Sequence, residues 1–376
     1  MNSSPSASAA LRAPSPSRCK SLAEVAYPVA EELERVREFI TERVFREESF
    51  AELLSHTGDT VGWDRLVLPE WMERALYQTH GSFESRTRAM SMHLAARGGK
   101  LFRATLILTT SRALSRIDAR APKLAAGLEL IHLATLLHDD VIDRADLRRG
   151  SPSMPALFDN APTVLMGDHV FARAFELISE CGDMRLIASS SRATSAMCRG
   201  EIEQLQWIGR HDVPEGAYFR LIEMKTAALM GACAEGAALL AGHDHSRGAW
   251  HRFGVTLGLL FQMTDDLLDF IADDSVLGKQ TGSDSAAGKY TLPMLILRDR
   301  IGGPRALRDF LEAAPSPEAI RAALRDHGVL DESWRRMEDL AQSCREQLDM
   351  LAPACADLSA QESLHDLVDF VLLRDH

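Results

Sequence analysis

The hydrophobic and polar positions of this chain follow a helical pattern almost from end to end. From Glu31 onward, apolar residues recur at spacings of three and four, which places them on one face of an α-helix. A convincing alternation of apolar and polar residues, which would indicate a β-strand, is not found. The pattern predicts helices over residues 29–55, 69–95, 100–115, 121–143, 163–180, 183–208, 215–241, 247–272, 288–300, 304–313, 316–326, 332–351 and 357–372.

Glycine and proline residues separate these helices at the expected positions, as at Gly98-Gly99, Pro122 and Pro214. Because the predicted helices are long and poor in polar residues, we expect an all-α bundle around a deep central apolar cavity, with some helices buried on nearly all sides. No linker divides residues 28–376, so these should form a single catalytic domain. Residues 1–27, rich in Ser, Ala and Pro, are expected to form a disordered N-terminal tail.

Composition and charge exclude several classes of protein. The chain has 376 residues, of which 46% are hydrophobic, enough for one large core. Its net charge of −12 argues against a nucleic-acid-binding protein that relies on a basic face. No run of 18 apolar residues occurs, so no membrane-spanning helix is predicted. The six cysteines form no CxxC pair, which predicts reduced thiols and a cytoplasmic location.

The N-terminal tail could also be a targeting segment. It lacks the apolar stretch of a secretory signal. The absence of acidic residues in its first 20 positions is typical of a transit peptide, but three prolines would interrupt the amphipathic helix that such a peptide forms. We therefore favour a disordered tail.

Two acidic motifs are embedded in the apolar pattern. LLHDDVID and QMTDDLLDF both carry Asp-Asp-x-x-Asp, far apart in the chain. On a helix, residues four apart share a face, so the first and last aspartates of each motif project together. Neither motif lies at a predicted helix start, which disfavours the alternative that these aspartates cap helices or pair with surface bases. If the two helices face each other, six carboxylates line the mouth of one cavity: Asp139, Asp140, Asp143, Asp265, Asp266 and Asp269.

Carboxylates in such numbers require positive charge, because like charges raise each other's pKa. Hard oxygen ligands with few histidines nearby suit Mg²⁺, which binds through a few carboxylates and the phosphates of a substrate. Basic residues accompany both motifs: Arg148, Arg149, Lys225, Lys279 and Lys289. The last two lie within the glycine-rich segment GKQTGSDSAAGK, which is not a Walker loop. We interpret this segment as a flexible lid that brings lysines to phosphate oxygens.

A second anion site is predicted at GGKLFRA. Lys100 and Arg103 follow two glycines at a predicted helix start, where the helix dipole favours negative charge. His132 lies two turns before Asp139 on about the same face, and from spacing alone it is equally a ligand or a core histidine. A metal and polyanion site, a second anion site and apolar walls together fit a diphosphate substrate with an apolar tail.

The chain resembles the trans-isoprenyl diphosphate synthase, or polyprenyl synthetase, family. Six blocks carry the resemblance in order: GGKLFRA, IHLATLLHDDVIDRADLRRGSPS, MGDHVFARAFELI, MKTAALM, FQMTDDLLDF and GKQTGSDSAAGKYTLP. The resemblance implies an all-α isoprenoid synthase bundle, usually a homodimer. It implies a prenyltransferase of isoprenoid biosynthesis that condenses isopentenyl diphosphate with an allylic prenyl diphosphate and requires Mg²⁺. One departure is that Leu101 and Ala104 replace an arginine and a proline of the family's first block, which could weaken the isopentenyl site.

The resemblance also implies a role for each site residue. Asp139, Asp143 and Asp265 would hold Mg²⁺, with Asp140, Asp266 and Asp269 as secondary ligands. The allylic diphosphate would be bound by Arg148, Lys225, Lys279 and Lys289, and isopentenyl diphosphate by Lys100, Arg103, His132 and Arg149. Thr226 and Gln262 would direct oxygens at the reacting carbons, and Lys225 would act with them in catalysis.

The length of the product is predicted from the residues just before the first motif. Relatives that stop at fifteen carbons place aromatic residues four and five positions before its first aspartate, where this chain has Thr135 and Ala134. These small residues predict a product longer than twenty carbons, unless Leu128, Ile131 or Phe171 forms the floor of the pocket.

Four alternative functions follow from the same residues. A geranylgeranyl diphosphate synthase would differ only in product length. A class I terpene cyclase on the same fold would not need the isopentenyl site, whose residues are present. A non-catalytic partner subunit would be expected to lose its aspartates. A ferritin-like metal bundle would carry Glu-x-x-His in place of Asp-Asp-x-x-Asp.

Overall fold

The structure of the protein, a computed structural model, describes residues 20–45, 90–91, 93–94, 99–115, 117–148, 151–271 and 287–374. These residues are almost entirely helical, which confirms the predicted all-α class. The helices are α1 Leu22–Ala26, α2 Ala30–Phe45, α3 Phe102–Leu114, α4 Ala121–Ile142, α5 Met154–Phe158, α6 Asn160–Ser179, α7 Met184–Leu205, α8 Glu215–Ile222, α9 Ala228–Leu240, α10 Arg247–Ile271, α11 Leu292–Ile301, α12 Pro304–Glu312, α13 Pro317–Asp326, α14 Val329–Leu351 and α15 Leu358–Leu373. Short 3₁₀ turns cover Tyr27–Val29 and Ala352–Ala354, and one π-helical turn covers Glu223–Ala227.

Helices α3, α4 and α9 form the centre of the bundle. Nearly every residue of α3 and α9 is buried, as the low polarity of these segments predicted. Helix α4 packs most extensively against α6, and α9 packs against α10, α3 and α7. The bundle therefore holds the two motif helices, α4 and α10, in fixed positions around α9.

A close approach between α10 and the π-helical turn depends on glycine. A Cβ at Gly258 would lie 2.5 Å from the Cα of Ala227, so only glycine fits there. Gln262 lies one turn further along α10 on the same face, and Thr226 precedes Ala227. This contact therefore places Gln262 beside Thr226.

Two parts of the sequence prediction need correction. Residues 20–27 do not belong to a disordered tail, because α1 lies within them and buries Val25 and Ala26. The Ser21 side chain and the Glu24 side chain each bond the other's backbone N–H, which starts this helix as a capping box. The described residues also contain a small antiparallel ladder that was not predicted, in which β1 Leu147–Arg148 pairs with β2 Ser151–Pro152.

Other predictions fall partly outside the described residues. The predicted helices 29–55 and 69–95 are covered only up to residue 45 and at 90–91 and 93–94, where the chain is helical. Beside the first motif lies an apolar cavity of about 40 Å³ lined by Leu133, Leu137 and Met154, but the predicted deep cavity stays a prediction. Of the helices that the structure describes, none has the length and apolarity needed to cross a bilayer.

Candidate active site

Both acidic motifs lie at the C-terminal ends of their helices. Asp139 and Asp140 fall in the last turn of α4, and Asp143 caps it. Asp265 to Asp269 fall in the last two turns of α10. A helix C-terminus carries partial negative charge, so carboxylates there are electrostatically unfavourable. Positive charge must therefore be supplied from elsewhere in the fold.

Protein cations reach the first motif from two segments. Arg148 on β1 pairs with Asp140, with 2.5 Å between its Nη1 and Oδ1. Asp140 is only 4% exposed, so this is a buried partner. Lys289 pairs with both oxygens of Asp143 at 2.7 and 2.8 Å. The sequence predicted both bases as phosphate ligands, and in this structure each one neutralises a motif carboxylate.

The position of Lys289 is set by its neighbours in the chain. Gly288 has a φ of +73°, and a Cβ there would lie 2.9 Å from the backbone N of Gly209. The backbone N–H of Gly209 donates to the Gly288 carbonyl at 2.9 Å. The Tyr290 hydroxyl lies 3.0 Å from Nε2 of His211. Two anchors on the segment that follows α7 therefore hold Lys289 at the end of α4.

The surroundings of Asp139 change its pKa. Burial raises the pKa of this carboxyl to about 7, and Glu201 and Asp143 add to the rise while Lys225 and Arg148 oppose it. These contributions place side chains of α7 and of the π-helical turn close to the first motif. A carboxyl whose pKa is so far from its usual value is typical of a functional site.

A chain of hydrogen bonds extends from this region to the second motif. The Thr226 hydroxyl donates to Oε1 of Gln262 at 2.7 Å. The Gln262 amide donates to Oδ1 of Asp266 at 2.8 Å, and the Tyr218 hydroxyl donates to Oδ2 of the same carboxylate at 2.6 Å. Asp266 is 3% exposed, so its carboxylate is satisfied by neutral donors inside the protein. The π-helical turn is therefore connected to the second motif by hydrogen bonds through Thr226 and Gln262, and Lys225 of the same turn acts electrostatically on Asp139 of the first motif.

The first aspartate of the second motif pairs with the C-terminal segment. The Arg374 guanidinium lies 2.6 Å from Oδ1 of Asp265 and donates to the carbonyl of Phe261 at 2.7 Å. It also stacks over the Phe261 ring at 3.8 Å. The Arg374 side chain is 8% exposed, and burial lowers its pKa. Asp269 is also buried.

The residues of the predicted isopentenyl site at the start of α3 lie beside a backbone donor that is already used by another residue. Leu101, a non-glycine residue, adopts a left-handed conformation with φ +52° immediately before the helix, a strained geometry that is often found at functional sites. Lys100 is exposed and Arg103 is buried. Glu129 on α4 accepts a hydrogen bond from the Ala104 N–H at 3.0 Å. Because Glu129 already occupies this helix-start donor, fewer backbone N–H groups remain for an anion here, and the side chains become more important.

The remaining predicted residues divide into two groups. His132 lies on α4 as predicted, half-buried, and its carbonyl accepts a hydrogen bond from Thr135. Arg149, Lys279 and most of the glycine-rich segment lie outside the described residues. Their roles stay predictions.

The donor set fits Mg²⁺ that arrives with a phosphate ligand. Among the described side chains, no three of His, Cys, Asp or Glu converge closely enough to hold a metal ion. Asp140, Asp143 and Asp265 each meet an arginine or a lysine instead. Mg²⁺ usually takes one or two carboxylates together with substrate phosphates and water, so a complete protein cage is not required. That all six carboxylates line one mouth stays a prediction.

Comparison with known proteins gives the family. The family model described as "Polyprenyl synthetase" matches residues 84–326 of this chain. The chain belongs to the polyprenyl synthetase family. Within this family it is similar to an all-trans-nonaprenyl-diphosphate synthase (geranyl-diphosphate specific) of Rhodobacter capsulatus, at 35% identity over 70% of this chain and 82% of the relative. It is also similar to the octaprenyl diphosphate synthase of Escherichia coli K12, at 34% identity over 76% and 89%.

A solved structure of the polyprenyl synthetase family has the same fold. A polyprenyl synthase from Caulobacter crescentus CB15, complexed with calcium and isoprenyl diphosphate, matches with a TM-score of 0.79 and 30% identity. The match covers 96% of this chain and 99% of that one. As a member of this family, the protein is a prenyltransferase.

Several contacts around the candidate site were not predicted from the sequence. Glu201 and Gln204 contact Lys225, Glu129 contacts the start of α3, Tyr218 contacts Asp266, and Arg374 contacts Asp265. Each contact joins residues that are distant in the chain, and none has a spacing that marks it. Only the three-residue separation of Glu201 and Gln204 in GEIEQL indicates a shared helix face.

Arg374 should compete with a metal ion for Asp265. We expect Arg374→Gln to strengthen Mg²⁺ binding by the substrate-free protein, because the Arg374 guanidinium no longer occupies the Asp265 carboxylate. The same variant should unfold at a lower temperature without metal, since the stacking on Phe261 is lost. Thermal unfolding with and without MgCl₂ measures both effects.

The matched control for this prediction is Arg345→Gln. This variant removes the ion pair between Arg345 on α14 and Asp369 on α15. Neither residue of this pair belongs to an acidic motif. The control should leave the Mg²⁺-dependent rise in unfolding temperature unchanged. An equal rise in wild type and Arg374→Gln would contradict the competition.

Proposed function

We propose that this protein is a Mg²⁺-dependent synthase that condenses isopentenyl diphosphate with an allylic prenyl diphosphate and releases an all-trans polyprenyl diphosphate of more than twenty carbons. The observation that carries the proposal is the pair of Asp-Asp-x-x-Asp motifs at the C-terminal ends of α4 and α10, which both lie near the π-helical turn. In that turn Lys225 acts electrostatically on Asp139, and Thr226 bonds Gln262, which bonds Asp266. Anionic helix ends surrounded by arginine and lysine suit a substrate that brings both metal and phosphate.

The relatives support the product length. The curated proteins named above make octaprenyl and nonaprenyl diphosphates, which both exceed twenty carbons. Ala134 and Thr135 are small, as expected for a pocket that stays open past fifteen carbons. A geranylgeranyl diphosphate synthase, with a product of twenty carbons, is the neighbouring alternative.

The proposed mechanism assigns the metal to the exposed and half-buried carboxylates. Asp139, Asp143 and Asp265 would hold Mg²⁺, and the buried Asp140, Asp266 and Asp269 would orient them. When bound, Mg²⁺ supplies a Lewis acid that stabilises the negative charge on the departing diphosphate. The Caulobacter relative, with its calcium and isoprenyl diphosphate, supports a divalent ion in this role.

The other residues bind and orient the two substrates. Arg148, Lys225 and Lys289, together with Lys279, bind the allylic diphosphate, and Lys100, Arg103, His132 and Arg149 bind isopentenyl diphosphate. The Thr226 hydroxyl donates to Gln262, so its lone pairs remain available to stabilise positive charge on the allylic carbon. The isopentenyl double bond then attacks this carbon, and the proton is lost to the released diphosphate. No protein base is required.

Incubation with substrates tests the proposal. The full chain is incubated with isopentenyl diphosphate, farnesyl or geranylgeranyl diphosphate and MgCl₂, and the products are separated by chromatography. We expect chains longer than twenty carbons with MgCl₂ and none in excess chelator. A cyclic hydrocarbon formed without isopentenyl uptake would favour the cyclase alternative, and full activity in chelator would refute the proposed role of the metal.

A homodimer is part of the proposal. Large apolar side chains are exposed on α6 and α7, with Leu165 at 67%, Ile202 at 62% and Leu205 at 55% exposure. Where such residues adjoin one another in a patch, the surface is typical of one that binds another protein. Light scattering on the full chain measures the oligomeric state.

A further inference from the structure

Lys225 occupies an unusual backbone position between the two motifs. It lies in the π-helical turn Glu223–Ala227, and its neighbour Thr226 bonds Gln262. A π-helical turn widens the helix and is frequent at functional sites. The ammonium of Lys225 also acts electrostatically on Asp139. The orientation of the Lys225 ammonium therefore affects the first motif, while Thr226 of the same turn contacts α10, the helix of the second motif.

Three residues of α7 surround the Lys225 side chain. Oε1 of Glu201 lies 2.6 Å from its Nζ, and Oε1 of Gln204 accepts a hydrogen bond from it at 2.7 Å. A Cβ at Gly200 would lie 2.8 Å from the Lys225 Cγ, so a larger residue there would push the lysine away. Helix α7 thus fixes both the stem and the charged end of the lysine.

The buried position of Glu201 has an electrostatic cost. The Glu201 and Lys225 side chains are 22% and 23% exposed, so both charges are largely removed from water. Glu201 also adds negative charge next to a motif that already repels it. A neutral hydrogen-bond acceptor would fill the same space, so packing alone does not explain a carboxylate here.

The other cations near the motifs pair directly with motif aspartates. Arg148, Lys289 and Arg374 each pair with a motif aspartate. Lys225 pairs with Glu201 instead, and among the described residues no arginine or lysine nitrogen lies within 4.0 Å of the Asp139 carboxylate. Glu201 therefore gives Lys225 a partner other than Asp139.

We propose that Glu201 and Gln204 are positioning residues, which hold the Lys225 ammonium ready for the allylic diphosphate and keep it from pairing with Asp139. The inference rests on the proposed function, because that function makes Lys225 a diphosphate ligand. Neither residue touches the substrate in this scheme. Both act only through the lysine.

A double-mutant cycle tests the inference with inorganic diphosphate as the probe. Binding to the full chain in MgCl₂ is measured by calorimetry for wild type, Glu201→Ala, Lys225→Ala and the double variant. We expect Glu201→Ala to weaken binding about tenfold in the wild-type background and less than twofold in the Lys225→Ala background. Glu201→Gln should recover part of the affinity, because its amide oxygen still accepts from the ammonium.

Glu203→Ala is the matched control on the same helix. Glu203 forms an exposed pair with Arg220 at 3.4 Å, so its removal should change binding less than twofold. Where the wild type makes product, Glu201→Ala should also raise the KM for the allylic substrate while the KM for isopentenyl diphosphate stays within twofold.

Two outcomes would overturn the inference. Tighter binding in Glu201→Ala would mean that Glu201 only adds repulsion, and equal losses in both lysine backgrounds would mean that it acts independently of Lys225. Because the cycle measures binding, it can fail independently of the proposed function. A wild type that binds diphosphate but makes no product would refute the proposed function, and the double-mutant cycle would still decide whether Glu201 acts through Lys225.

Discussion

Asp139→Asn should abolish synthesis and at the same time stabilise the metal-free protein. We expect product formation to fall by on the order of 10³-fold or more, since an amide is a poor ligand for Mg²⁺ and the charge that holds the metal is lost. The radiolabelled product formed from isopentenyl diphosphate measures this effect. The exposed Asp146, in the loop after α4, provides the control Asp146→Asn, which should keep its activity.

The stabilising effect follows from the raised pKa of Asp139. The folded chain keeps a proton on this carboxyl up to about pH 7, whereas the unfolded chain loses it near its usual pKa of 3.8. Unfolding therefore releases a proton between these values, and stability falls as the pH rises through this window. Asparagine cannot ionise, so the variant escapes this cost.

Urea unfolding at several pH values measures the difference. Above pH 7, without metal, Asp139→Asn should be more stable than wild type by up to about 4 kcal/mol, because the pKa rises from 3.8 to about 7 and each pKa unit corresponds to about 1.4 kcal/mol. The difference should stay nearly constant above pH 7 and shrink steadily as the pH falls from 7 to 4. A difference that does not shrink below pH 7, or a less stable variant at pH 8, would show that Asp139 is not a buried charge of this kind.

Thr135→Phe should shorten the product. Thr135 lies one turn before Asp139 on α4, so the two side chains share a face, and Ile131 and Leu128 continue that face deeper into the protein. A phenylalanine there would block the path along which the chain grows. We expect the main product to drop to twenty carbons or fewer, with the rate of the first condensation kept within tenfold.

The structure separates Thr135 from its neighbour Ala134. Gly127 and His138, on the same side of α4 as Ala134, both meet α6: a Cβ at Gly127 would lie 2.6 Å from Ile178, and one at Gly167 would lie 2.2 Å from His138. Ala134 is fully buried. Ala134→Phe should therefore overpack the contact between α4 and α6 and lower stability by about 1–3 kcal/mol.

Chromatography of the products from three variants decides this question. Thr135→Val keeps the size of the side chain and should leave the product length unchanged. Product shortening by Ala134→Phe in a stable protein, with no effect of Thr135→Phe, would place the floor of the pocket on the other face of α4. No change in either variant would assign the floor to Leu128, Ile131 or Phe171.

The sequence by itself determined the fold class and the residues that define the chemistry. Apolar spacing of three and four predicted the helices, because a helix must bury one face whatever it packs against. The two Asp-Asp-x-x-Asp motifs needed no tertiary information, since carboxylates four apart on one helix share a face by local geometry alone. The small size of Ala134 and Thr135 before the first motif is also read directly from the sequence, because their spacing from Asp139 is local.

Only the tertiary structure decided which charge meets which. Arg374 is 109 residues from Asp265, and Glu201 reaches Lys225 from another helix. No spacing predicts such contacts, because they depend on how the helices cross and not on the period of one helix. The same holds for the raised pKa of Asp139 and for the use of the α3 start by Glu129, since burial and proximity are properties of the packed bundle.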